Sequence, residues 1–370
     1  MIRVLEVIRQ GQIGGGESHL LDLVTFLDKE QITPICLSFT DGEMISRLHD
    51  LGIQCHIINT TKPFDMSIQK QIKQLIENEH IQLVHAHGSR AASNVLWPTK
   101  KNRLPFIYTV HGWSFHDDQN IIIKNMRAWS EKLICHYSDQ VICVSQSNAD
   151  TGKDFFGLKD ACVIENGINL ERFNPQNSWR DLRPFMQLQS DDFVIGFIAR
   201  CTKQKNPLIF LKALEIAHQK NLHIKGVFVG EGDMDDEVDS FIKKSKMDTY
   251  LYRSPFRTDV PEILHAIDVY CLPSLWEGLS IALLEAMAME KAIIATPTDG
   301  TSELIQNEKN GLVIPFNDAE ALADCMMQLA ESPQDIKLYG CAARKFVETR
   351  FNAQRVSEQV AQIYKKISGK

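Results

Sequence analysis

The chain has 370 residues, 44% of them hydrophobic and 24% charged, which excludes a disordered, collagen-like or coiled-coil protein. This length exceeds one ordinary core, so two domains or one large α/β unit are expected. A formal net charge of -7 argues against a dedicated nucleic-acid binder, and no apolar run approaches the roughly 20 residues of a membrane span.

In chain order, the first ten residues read as a strand and not as a signal peptide. Short apolar runs at 4–8, 34–39, 55–58, 83–86, 106–110 and 140–144 read as strands, with helical stretches at 18–29, 44–51 and 68–79 among them. This alternation predicts βαβ units and a parallel sheet, and the unbroken hydrophobicity of the runs predicts cover on both faces. The pattern pauses at 174–188, where Pro175, Trp179 and Pro184 stand in mixed charge without a period, and this stretch is expected to be the linker. A second series follows at 193–199, 224–229, 249–251, 268–272, 292–296 and 312–314. The last segment, 353–370, has Val356, Val360 and Ile363 on one helical face. The expected fold is α/β, with two Rossmann-like doubly wound domains, 1–180 and 181–352, facing across a cleft where their strand-end loops meet. The 9 cysteines are scattered and form no C-x-x-C pair, which fits reduced thiols in a cytoplasmic protein better than disulfides or zinc.

The candidate chemistry lies in the strand-end loops. Gly14, Gly15 and Gly16 follow the first strand and open a helix, so a ligand anion can approach backbone there; a plain tight turn is the alternative. The loop is not G-x-G-x-x-G, which disfavours a dinucleotide site. His111 follows a strand and points toward the strand-end face, or is simply structural. His85, His87, His111 and His116 can be imagined as a metal cluster, but H-E-x-x-H spacing is missing and no metal or cofactor is expected. Arg200 and Lys205 lie at another strand end, where two cations suit a diphosphate; solvated side chains are the alternative. Glu277, Gly278, Leu279 and Ser280 lead into a helix in which Glu285 interrupts an apolar run. A carboxylate there needs partners, and a sugar diol or a nearby Arg would supply them. Asp233-Met234-Asp235 reads as a solvated helix start.

Taken in order, Gly14-Gly15-Gly16-Glu17, Thr109-Val110-His111-Gly112, Val144-Ser145, Asn166-Gly167-Ile168, Arg200 with Lys205-Asn206-Pro207, Val229-Gly230-Glu231-Gly232 and the E-x7-E pair Glu277 and Glu285 resemble a retaining GT-B glycosyltransferase of family four, over nearly the whole chain. The resemblance implies a nucleotide-sugar donor, most simply a UDP-sugar, held by the second domain. Arg200 and Lys205 would bind its diphosphate and stabilise the leaving nucleotide, and Glu285 would bind the ribose hydroxyls. Glu277 would contact the donor sugar, with the amides of Gly278, Leu279 and Ser280 nearby. Gly15 and Gly16 would lie against the diphosphate and acceptor, and His111 against the donor sugar. The final helix would cross back onto the first domain. Two departures stand out: Asp299-Gly300-Thr301-Ser302-Glu303 carries one glycine where the family often has two, and Asn169 replaces a common Asp.

The implied partners are the nucleotide-sugar and a glycan or lipid-linked acceptor in cell-surface polysaccharide or lipopolysaccharide synthesis. The expected location is the cytoplasm, with peripheral contact to the inner face of the membrane as one reading. Residues 121–132 mix three isoleucines and Trp129 with Lys124, Arg127 and Lys132, and read either as a membrane-resting helix or as a packed one. A nucleotide-sugar 2-epimerase and a non-catalytic nucleotide-sugar-binding protein are the rival readings; the E-x7-E pair weighs against the first and the retained charged residues against the second.

Overall fold

A computed structural model describes residues 1–115 and 119–369 of the chain. Two compact units emerge, Met1–Gly167 together with Ala353–Lys370, and Ile168–Asn352.

The first unit holds β1 (Ile2–Ile8), β2 (Ile32–Ser38), β3 (Gln54–Ile57), β4 (Leu83–His87), β5 (Phe106–Val110), β6 (Gln140–Cys143) and β7 (Cys162–Val163) in the order β3-β2-β1-β4-β5-β6-β7. Neighbouring strands pair in parallel. The crossovers are α1 (Gly15–Phe26), α2 (Glu43–Asp50), α3 (Gln69–Asn78), α4 (Ser89–Lys101), α5 (Ile121–Tyr137) and α6 (Gln146–Phe156). Strands β4 and β5 are buried at every position, which is why their sequences do not alternate. α6 starts on the Ser145 hydroxyl, which accepts from the Asn148 amide, and stops at Gly157 in the left-handed region.

The second unit holds β8 (Phe193–Ile198), β9 (Ile224–Val229), β10 (Leu251–Ser254), β11 (Val269–Leu272), β12 (Ala292–Ala295) and β13 (Leu312–Val313) in the order β10-β9-β8-β11-β12-β13. Its helices are α7 (Pro207–Lys220), α8 (Asp235–Lys244), α9 (Val260–Ala266), α10 (Ile281–Ala288), α11 (Asp299–Leu304), α12 (Ala319–Glu331) and α13 (Pro333–Arg350). Both units are Rossmann-like.

The last helix, α14 (Ala353–Ser368), packs against α1 and β1 in the first unit. Val356, Val360 and Tyr364 are buried there. Full burial of side chains of this size contributes about 1.5–3 kcal/mol each.

The structure moves the expected boundary. The second unit begins at Ile168, and the supposed linker 174–188 belongs to it. Leu182 and Met186 are buried, and the Arg183 guanidinium makes a two-pronged contact to Asp268 at 3.0 and 2.9 Å while donating to the Ala266 and Asp192 carbonyls. Long-range hydrogen bonds order a segment whose own period is absent. Two smaller differences concern strands: β7 was not expected, and β10 starts at Leu251 because Met247–Thr249 forms a one-turn 3-10 helix.

Candidate active site

In each sheet the strand order reverses once between neighbours, at β1/β4 in the first unit and at β8/β11 in the second. Loops beyond the carboxyl ends of such strand pairs are where open α/β sheets bind ligands. The glycine loop follows β1, Arg200 and Lys205 follow β8, and Glu277, Gly278, Leu279 and Ser280 follow β11, while His111 follows β5, the neighbour of β4, and Glu285 lies on α10.

In the first unit, Gly14 is the N-cap of α1, which starts at Gly15. A Cβ on Gly16 would meet the His111 ring at 3.6 Å, so glycine loop and histidine are in contact. His111 caps a polar chain that runs into the core. Its Nε2 lies 3.2 Å from His87 Nδ1, and His87 Nε2 lies 3.0 Å from Glu6 Oε2. Tyr364 of α14 donates its hydroxyl to Glu6 Oε1 at 2.6 Å, and His85 Nδ1 reaches that hydroxyl at 2.6 Å. Glu6, His85, His87 and Tyr364 are all buried, and His111 is partly exposed.

Burial alone would raise the Glu6 carboxyl, but His85 and His87 hold it well below the usual carboxylate range. Burial and the neighbouring histidines bring His19 down to about 3. Burial and the charge of His85 bring His87 to about 4. His111 is likewise lowered, by burial first and then by His19, His87, His85 and Arg9. His19, His87 and His111 are therefore neutral at physiological pH.

Two groups here gather metal-type donors. One atom each from His19, His87 and His111 lies within 4.8 Å of the others, and so does one each from Glu6, His85 and His87. In the first group the His87 and His111 nitrogens are spent on each other. In the second, the carboxylate and both rings are already joined by hydrogen bonds. The sequence reading grouped His85, His87 and His111, and the fold does bring them together; His116 lies outside the described residues.

In the second unit, Arg200 leaves the end of β8 and is exposed, with its guanidinium 3.5 Å from the Gln204 carboxamide oxygen. Gln204 in turn donates to the Trp276 carbonyl at 2.9 Å, which ties the loop after β8 to the loop after β11. Lys205 and Glu277 form a short ion pair with side chains only 12% and 6% exposed. The Ser274 hydroxyl donates to the same Glu277 oxygen at 2.7 Å. Glu285 lies on α10, whose N-cap Ser280 hydroxyl accepts from the Leu283 amide. The Tyr270 phenol, which donates to the Ile198 carbonyl at 3.0 Å, is pushed well above its ordinary range by burial and by the charges of Glu285 and Glu277. Both members of the E-x7-E pair thus bear on one hydroxyl.

Backbone fits to backbone around these side chains. Gly230 has φ +142, and a Cβ there would sit 1.9 Å from the Ala199 carbonyl oxygen, so only glycine lets the loop after β9 press on the strand that presents Arg200. Gly300 lies so close to Gly278 that a Cβ would be 1.8 Å from its carbonyl oxygen. The departing 299–303 loop therefore packs on the Glu277–Leu279 backbone. Asn169, the other departure, uses its side-chain oxygen to accept from the Glu171 and Arg172 amides, a local turn. Asp235 of the D-x-D run accepts from Arg253 at 2.8 Å and from the Gly232 amide at 2.9 Å, and opens α8.

Five participants were given no role by the sequence reading: Glu6, His19, Tyr364, Ser274 and Tyr270. A charged Glu6 inside the apolar run of β1 was a usable signal, because such a residue needs buried partners. Nothing local marks Tyr364, 358 residues away from Glu6.

Residues 13–172 match the family described as Glycosyltransferase Family 4, and residues 180–346 match Glycosyl transferases group 1. The chain belongs to these glycosyltransferases, and its fold is the GT-B fold. It is 28% identical over 324 residues to the UDP-Gal:alpha-D-GlcNAc-diphosphoundecaprenol alpha-1,3-galactosyltransferase of Escherichia coli, covering 84% of this chain and 81% of that one. It is 28% identical over 214 residues to the amylovoran biosynthesis glycosyltransferase AmsK of Erwinia amylovora, covering 56% and 51%. Among solved structures, HepE of Anabaena in complex with UDP and glucose superposes with a TM-score of 0.87 at 20% identity, covering 99% of this chain and 100% of that one. The protein is a glycosyltransferase. Among the described residues, no helix is long and apolar enough to cross a membrane.

Proposed function

We propose that this glycosyltransferase moves a sugar from a UDP-sugar to a glycan or lipid-linked acceptor with retention of anomeric configuration, in the assembly of a cell-surface polysaccharide or lipopolysaccharide. The observation that carries the reading is the β8/β11 switch point, where Arg200 and Lys205 from the stretch after β8 meet Glu277 and Glu285 from the stretch after β11. The named activities of the E. coli and Erwinia relatives and the UDP complex of the Anabaena protein support the donor and the pathway class.

In this reading Arg200 and Lys205 take the diphosphate, and their charge is most valuable as the bond from the sugar C1 to the phosphate oxygen breaks. Glu285 accepts from the ribose hydroxyls. Glu277 and the amides of Gly278, Leu279 and Ser280 bind the donor sugar, as does His111 from the first unit. Gly15 and Gly16 lie against diphosphate and acceptor. The acceptor hydroxyl attacks C1 from the face the nucleotide leaves. Its proton passes to the departing phosphate oxygen, so the nucleotide diphosphate leaves as the new glycosidic bond forms. No metal enters this scheme.

Membrane contact through α5 belongs to the same proposal. One face of that helix packs through Ala128, Glu131 and Ile134. The rest exposes Ile121, Ile122, Met126 and Trp129, each about two-thirds accessible, beside Lys124, Arg127 and Lys132. Exposed apolar side chains interleaved with cations suit an anionic lipid surface, where a lipid-linked acceptor resides.

A screen of UDP-sugars for nucleotide release, with and without a lipid-linked glycan, tests the reading. It expects release that depends on acceptor and a product that keeps the donor's anomeric configuration by NMR. An inverted product would refute retention. Free epimerised sugar made without acceptor would mean a 2-epimerase, and binding without turnover a sensor.

A further inference from the structure

We propose that Glu6 and His87 are positioning residues that hold His111 as its Nε2–H tautomer, leaving His111 Nδ1 bare to accept a hydrogen bond from a sugar hydroxyl. The proposal rests on the reading that His111 faces the donor sugar.

Proton bookkeeping along the chain gives the tautomer. Glu6 is ionised and can only accept. Tyr364 spends its one hydroxyl proton on Glu6 Oε1, so His85 Nδ1, 2.6 Å from that hydroxyl oxygen and 3.2 Å from Glu6 Oε2, carries a proton and donates toward both acceptors. His87 Nε2, 3.0 Å from Glu6 Oε2, must carry a proton. A neutral His87 has no second proton, so its Nδ1 is a bare acceptor. The partner 3.2 Å away, His111 Nε2, must then donate. His111 is neutral too, which leaves its Nδ1 unprotonated. A single carboxylate at the buried end thus decides which nitrogen is bare at the partly exposed end.

The arrangement costs more than an apolar core would. Four polar side chains are withdrawn from water in the middle of a parallel sheet, where hydrocarbon of the same volume would be no less stable. What the polar chain adds is a defined orientation and tautomer for one imidazole. It also ties α14 to the site, since Tyr364 donates to the same carboxylate. A hydroxyl-accepting nitrogen fits a neutral sugar, whereas a protonated imidazole would favour an anion.

The experiment uses the full chain labelled with [15N]histidine. Long-range 1H–15N spectra distinguish a protonated Nε2 from a protonated Nδ1 for each ring. Wild type is expected to show His111 with a proton on Nε2 and none on Nδ1. His87→Leu should convert this to a mixture of tautomers, and His87→Gln, which can still donate to Glu6 and accept from His111, should preserve it. Glu6→Gln removes the charge that fixes the His87 proton and keeps the side-chain shape, so it stands in should His87→Leu fail to fold; it should raise the population of the other His111 tautomer measurably.

Turnover should fall about 10-fold or more in His87→Leu, the scale seen when partners that orient a functional imidazole are removed. His87→Gln should recover most of it, while affinity for UDP alone stays within about twofold because the nucleotide does not meet His111. A wild-type His111 protonated on Nδ1, or an Nε2–H form untouched by His87→Leu and Glu6→Gln, overturns the proposal. A His111 with no ring proton until EDTA is added overturns it in favour of a bound metal. The underlying reading has its own check: if His111→Ala leaves the affinity for UDP-sugar unchanged, His111 does not face the sugar, whatever its tautomer.

Discussion

Removing Lys205 should damage the fold as well as the chemistry, and the two effects can be separated. The Glu277 side chain is 6% exposed and its partners are Lys205 and the Ser274 hydroxyl. In Lys205→Ala the carboxylate keeps one neutral donor and almost no water. Breaking a buried pair by deleting one member costs about 3–5 kcal/mol, and the 12% exposure of Lys205 puts this pair near the lower end. For a unit the size of Ile168–Asn352 each kcal/mol lowers Tm by about 2–4 °C, so a drop of about 6–12 °C is expected. Adding Glu277→Gln removes the stranded charge while the amide oxygen still accepts from Ser274. The double variant should regain most of the lost stability, a coupling of roughly 2 kcal/mol or more. Turnover should not return with it, because the counter-charge for the leaving diphosphate is still missing. Calorimetry of the three variants, paired with nucleotide release, makes the comparison. A Lys205→Ala protein melting within about 2 °C of the parent, or a double variant no more stable than the single, would refute the reasoning.

Arg200→Ala offers the cleaner test of charge stabilisation, because Arg200 is exposed: Tm should hold while kcat falls about 100-fold, and a change confined to KM would remove Arg200 from the leaving-group role. Stability should fall on acidification. His19 and His87, at about 3 and 4, stay neutral in the folded state while the unfolded chain takes up protons below about pH 6.5; each costs roughly 1.5 kcal/mol between pH 6.5 and 5, and Glu6 adds a further loss below about pH 4.5. Urea midpoints that match at pH 7 and pH 5 would contradict this. Gly230→Ala should lower Tm by several degrees and impair donor turnover, since its Cβ displaces the Ala199 carbonyl that leads into Arg200; an unchanged melting curve would show that the loop yields without cost. Deleting 353–370 should destabilise the first unit, by exposing the apolar bed of Val356 and Val360 and by leaving Glu6 without Tyr364; circular dichroism melts identical to the parent would rule that out.

Sequence periodicity was sufficient for the α/β class, the parallel sheets and most strand positions. Local hydrophobic pattern is dictated by which faces a strand buries, and strands covered on both sides leave unbroken apolar runs such as 269–272 and 292–295. The candidate residues were also legible, since Gly15, His111, Arg200, Lys205 and Glu277 lie in the loops or helix starts that follow strands, where such sheets bind, and Glu285 is a charge inside an otherwise apolar helix. What the sequence could not carry was pairing. Lys205 meets Glu277 across 72 positions and Tyr364 meets Glu6 across 358, contacts made only when crossovers stack neighbouring strands. The unit boundary moved to Gly167 for the same reason, because Arg183 is anchored by Asp268, which no window of local sequence contains. Short-range preference selects the elements; the partners of a buried charge are chosen by the packed sheet, where an unpaired one would cost too much to keep.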